Sequence, residues 1–297
     1  MALGFHYLAL RAKTEYASAM KTKTSCFVLH CSRLSLSLHS MNKAKDIIKY
    51  METLRDEEQR RVLVRFFKTG PGEYGEGDEF LGLKVPQTRE VVRLMAKDFP
   101  LDEIPDLLLS HWHEVRLCGL LILVDKFERL ATKRLIDNEK AIRDRDEILS
   151  LYLRYAEQAN NWDLVDLSAP KILGHWLLLP TRLADDEDRY KRQVVDGLAQ
   201  SSNLWRQRMS IVCTWKTSQQ GDASWCLRYA EIHLHHPHDL MHKAVGWMLR
   251  EMGKRVSMDL LREFLRQHAH EMPRTMLRYA IEKMDEDERK EWMNIHK

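Results

Sequence analysis

The chain has 297 residues, 44% of them hydrophobic and 31% charged, a length and composition that suit a soluble protein with one large core or an extended repeat array. No run approaches the roughly 20 apolar residues that a membrane span requires. The net charge of +3 is unevenly placed: residues 1–40 carry a net +4 and the other 257 residues a net −1, so any nucleic-acid surface must be a local basic patch.

Residues 1–40 hold six serines, five basic residues and one acid. That is the composition of a transit peptide, and equally of translated sequence upstream of a start at Met41. We read them as a disordered extension or mis-assigned start and leave them out of the fold. Residues 41–297 read as one domain. They open on MNKAKDIIKYMETLRDEEQRR, the first clean amphipathic helical pattern. Five of the twelve glycines follow between Gly70 and Gly82, marking a flexible connector. It lacks the Lys-Ser/Thr of a phosphate loop. Pro86 sets the first turn of the next helix, with Thr88 and Arg89 beside backbone N–H groups that attract phosphate.

Beyond residue 90 no alternating, β-branched stretch occurs, so the predicted fold is all-α. The segments 113–124, 204–215 and 240–251 each carry a basic residue followed by a mostly apolar helix, and 273–284 is a candidate fourth copy. Their spacing predicts a curved α-solenoid of HEAT-like helical repeats. Arg116, Arg208 and Lys243 would then form a phosphate-tracking stripe on the concave face, with Arg250 nearby. The five cysteines are odd in number and lack CxxC spacing. Cys118 and Cys213 read as buried thiols, and a reducing compartment follows. HLHHPHDLMH, residues 233–242, invites a metal site, but Pro237 interrupts it and Asp239 is placed to cap the next helix. No metal or cofactor is expected.

The chemistry concentrates in NNWDLVD. Trp162 and Asp166 are one helical turn apart and leave the same face. A fixed carboxylate there can stabilise an oxocarbenium-like sugar or orient water. The competing reading of Asp166 is an ion pair or cap. An indole attracts a cationic ring by roughly 0.5–2 kcal/mol, which gives Trp162 and Trp247 a role beyond packing. Arg208 supplies a guanidinium suited to bidentate grip of phosphate.

FLGLKVPQTR, NNWDLVD, SSNLWRQRMSIV and HKAVGWMLREMGK together resemble the AlkD-like DNA alkylation repair family, in its order and with similar spacing, from about Met41 to the C-terminus. The resemblance implies a DNA glycosylase with Trp162, Asp166, Arg208 and Trp247 in the active site and Arg89 on the DNA backbone. Val85 stands where the family has Thr. It further implies release of cationic 3-methyladenine and 7-methylguanine from double-stranded DNA without flipping the base into a pocket. Lys243, the nearest amine in sequence, receives no lyase role. The remaining expectations are a monomer with no membrane partner, in the cytoplasm with the bacterial nucleoid or in the nucleus, without a secretion signal. Two other readings stay open: a non-catalytic HEAT-like protein that binds DNA or senses its structure, and a helical protein scaffold.

Overall fold

A computed structural model describes residues 42–295; the expectations for residues 1–40 and for a start at Met41 fall outside that range. The described chain is helical throughout, and its one β feature is an isolated bridge between Glu79 and Trp112. The α-helices are α1 (Ala44–Thr53), α2 (Glu57–Phe66), α3 (Val85–Met95), α4 (Ile104–Leu108), α5 (His113–Leu130), α6 (Glu139–Arg154), α7 (Trp162–Ser168) and α8 (Leu173–Trp176). They continue as α9 (Glu187–Ala199), α10 (Leu204–Val212), α11 (Thr214–Gln219), α12 (Ser224–Ile232), α13 (Asp239–Arg255), α14 (Met258–His268), α15 (Arg274–Ala280) and α16 (Glu286–Asn294).

Their packing is that of an α-solenoid. One row runs through the molecule: α5 packs on α7, α7 on α10, α10 on α13 and α13 on α15. The other helices back this row, α3 and α4 behind α5, α9 behind α10 and α12 behind α13. The weak sequence repeats all fall on the row. An inner helix must be covered on nearly every side, and α5 shows the result, with every residue from His113 to Val124 buried. On α13 the burial is one-sided. Met241, Ala244, Val245, Met248, Leu249 and Met252 face the core, while Lys243, Trp247, Arg250 and Lys254 fall at helical spacing on the opposite stripe.

Helix starts follow local chemistry. Asn203 accepts from the N–H groups of Trp205 and Arg206 to begin α10, and Asn161 accepts from Trp162 to begin α7. The cap of α13 is His238, not Asp239: the His238 Nδ1 accepts from the Leu240 N–H at 3.1 Å. At Gly246 the backbones of α13 and α15 meet, since a Cβ there would lie 2.3 Å from the Met276 carbonyl oxygen. Cys118 and Cys213 are fully buried, as their apolar settings led us to expect.

Candidate active site

The first turns of α5 and α7, the end of α2 and the start of α3 enclose a cleft of about 460 Å³. Phe66 and Phe67, Val85 and Pro86, His113, Trp162, Asp163 and Asp166 line it. The four-residue spacing of Trp162 and Asp166 therefore does bring both side chains to one cavity. Trp162 is held on two sides: Phe67 stacks on it at 5.3 Å and Phe66 meets it edge-on at 5.7 Å.

Asp166 is gripped by Arg208. The arginine Nε and Nη2 donate to the two carboxylate oxygens, each at 2.9 Å, and Nη1 donates to the Leu240 carbonyl at 2.6 Å. One buried guanidinium thus joins α7, α10 and α13. Burial pushes the Asp166 carboxyl above its ordinary value; Arg208 opposes this and the Asp163 carboxylate adds to it. The expectation that Arg208 grips a phosphate in bidentate fashion is corrected accordingly, because the fork already holds Asp166.

Beside this pair lies a network that sequence reasoning missed. The His113 ring is clamped between Asp78, 2.7 Å from Nδ1, and Asp163, 2.9 Å from Nε2. Its burial favours the neutral ring, but the two carboxylates outweigh it and hold the pKa at about 9. His113 is therefore an imidazolium at neutral pH. Asp78 also accepts from Arg116, and burial is outweighed there too, by His113 and Arg116, so its carboxyl falls below the usual range. The available signal was the polar set His113, Glu114 and Arg116 opening an otherwise apolar helix. Such groups are buried only when paired.

Asp78 and Tyr74 belong to the glycine-rich segment, which is folded against the site rather than serving as a loose connector. Tyr74 meets Trp205 edge-on at 6.2 Å. Glu114 accepts three backbone N–H groups, from Leu81, Gly82 and Leu83. Gly82 has φ +91, and a Cβ there would lie 2.0 Å from the Asp56 carbonyl, so glycine is required on both counts.

Trp247 stands apart. It is half-buried on α13 and does not line the cleft; it lies two turns beyond Leu240, about 10 Å along the helix. Among the residues expected on DNA, Arg89 is exposed. Lys243 is partly exposed and paired with Asp239 at 2.6 Å. Arg250 pairs with Glu251 and Glu282. Two others are corrected. Thr88 is fully buried on the core side of α3, and Arg116 is buried with its guanidinium held by Asp78 and the Ser110 and His111 carbonyls. Neither side chain reaches a phosphate in this conformation.

A family model of DNA alkylation repair enzymes matches residues 47–284, which spans every residue of the cleft. No match was found among curated proteins. A solved structure described as a predicted DNA alkylation repair enzyme from Enterococcus faecalis superposes with a TM-score of 0.57. It is 13% identical and covers 78% of this chain and 97% of its own, so the likeness is one of fold alone.

Proposed function

The chain belongs to the DNA alkylation repair enzyme family, and from that premise we propose that it is a monofunctional DNA glycosylase. Its substrates in this reading are cationic N-alkylated purines, 3-methyladenine and 7-methylguanine, in duplex DNA. It acts as a monomer, without a cofactor, in the compartment that holds DNA. The observation that carries the reading is the Asp166 carboxylate, set at an aromatic cleft beside Trp162 and oriented by both arms of Arg208.

The chemistry asks little of the protein. An alkylated purine is positively charged and leaves as a neutral base, taking the electron pair of the C1′–N bond, so no general acid is needed. Positive charge then develops on the deoxyribose, and a fixed anion stabilises it. Water adds at C1′ and loses a proton to Asp166 or to solvent. Arg208 fixes the carboxylate oxygens and favours the ionised form that burial disfavours. The Trp162 face packs against the sugar and cationic base, and the lesion need not leave the duplex.

One observation favours the non-catalytic alternative: both Asp166 oxygens already accept from Arg208, as in an ion pair that only joins helices. The deciding experiment measures methylated bases released from methylated duplex DNA by the full chain and by its Asp166→Asn variant. Release by the wild type alone supports a glycosylase centred on Asp166. Release by both removes the assignment of Asp166. Release by neither, alongside salt-sensitive DNA binding, selects the non-catalytic reading.

A further inference from the structure

A second cleft, of about 870 Å³, lies between α13, α15 and α16, and its lining includes Arg250, Lys254, Arg278, Glu282 and Arg289. Its charge is strongly biased. Six basic side chains line it against three glutamates, in a described chain that is close to neutral. Many surface cations of this protein are consumed by ion pairs, and Arg250 and Lys290 in this cleft are among them. Lys254, Arg278 and Arg289 are not: among the described residues none of their side chains has an ion-pair or hydrogen-bond partner. Three unpaired cations around one concavity repel one another, and an anion relieves that repulsion.

The position of the cleft identifies the anion. Lys243, Trp247, Arg250 and Lys254 form one stripe along α13, and the N-terminal turn of that helix is joined to Asp166 through the Arg208–Leu240 hydrogen bond. The cleft therefore lies about 20 Å from that turn along the helix axis. That distance corresponds to about six base pairs of duplex at 3.4 Å per pair. We infer that this cleft is a second anchoring site for a DNA duplex, in which Lys254, Arg278 and Arg289 hold phosphodiester groups about six base pairs from the residue bound at Asp166. Arg289 lies on α16, beyond residue 284 where the family match ends, whereas Lys254 and Arg278 fall inside the matched segment. The inference rests on the reading of duplex DNA as ligand and is independent of whether base release occurs.

Unmodified duplexes provide the probe, because no excision is then involved. Binding of the full chain is measured by fluorescence anisotropy with a duplex of about 24 base pairs and a short one, a hairpin stem of about 4, which at 3.4 Å per pair is too short to span both sites. The Arg278→Ala/Arg289→Ala double variant is expected to bind the long duplex about tenfold more weakly at low salt. Its slope of log affinity against log salt should be shallower by about two, with binding of the short duplex unchanged. The Arg278→Lys/Arg289→Lys variant, which keeps the charge, should retain most of the long-duplex affinity. Equal binding of the long duplex by the alanine variant and wild type overturns the inference, as does equal weakening on both duplexes. Absence of duplex binding by the wild type also overturns it. If the pattern holds while methylated DNA yields no free base, the anchor stands and the glycosylase reading fails.

Discussion

Arg208 and Asp166 form a two-bond pair at 2.9 Å and 2.9 Å whose arginine is also tied to the Leu240 carbonyl. The same guanidinium therefore orients the candidate catalytic anion and joins three helices of the inner row. Removing it acts on both. Arg208→Ala leaves a largely buried carboxylate without its partner and beside Asp163, and the cost expected for breaking such a pair is about 3 kcal/mol. Urea denaturation at pH 7 should show this loss, with base release falling together with it. Full stability with lost base release would limit Arg208 to the chemistry.

The ionisation of Asp166 sets the acid side of the pH profile. Burial raises its carboxyl pKa, and the neighbouring Asp163 carboxylate raises it further. Activity requires the anion, so the rate should fall as pH drops through a value above that of an ordinary aspartate. In Asp163→Asn one anionic neighbour is gone, and the limb should move to lower pH. Single-turnover release of 7-methylguanine across pH measures both. An unmoved limb would mean that another group controls the rate.

His113 makes stability depend on pH in the alkaline direction. Its folded pKa of about 9 exceeds the ordinary 6.5, so the folded state holds the proton more tightly than the unfolded chain. The associated stability is fully present below pH 6.5 and is lost as pH rises through about 9, by at most about 3 kcal/mol. Thermal melts of the wild type should fall across that window, and those of His113→Gln should be flatter and lower at pH 6. A variant with the wild-type slope would remove His113 from this role.

Gly246 tests the packing of the inner row. An added methyl group meets the Met276 carbonyl at 2.3 Å and the Tyr279 side chain at 2.6 Å, so α13 and α15 must separate. Gly246→Ala should cost about 1–3 kcal/mol, although alanine is the better helix former. A stabilised variant, read from its urea midpoint, would show that the two helices adjust freely.

Trp162 and Trp247 should separate in their effects. Trp162→Ala removes a cleft wall that packs on Phe67, so both stability and base release should fall. Trp247→Ala lies outside the cleft and should slow release of cationic bases while lowering the urea midpoint less than Trp162→Ala does. Equal destabilisation by the two variants would assign Trp247 to packing.

What the sequence determined by itself was periodic or local. The helical class followed from 3.6-residue spacing, and the weak repeats at 113–124, 204–215, 240–251 and 273–284 located the inner row. The four-residue step from Trp162 to Asp166 put them in one cleft, because a helix converts that step into a shared face. The tertiary structure decided everything that depends on partners distant in sequence. It gave Arg208 to Asp166 across 42 residues and clamped His113 between carboxylates 35 and 50 residues away. It also turned Thr88 and Arg116 inward. A charged side chain announces its type in sequence but not its partner, and burial makes the partner decide whether that charge binds a ligand or the protein itself. The glycine-rich segment follows the same rule: its composition predicts a turn-rich connector, and only Asp78 and Tyr74 meeting residues from other helices dock it on the site.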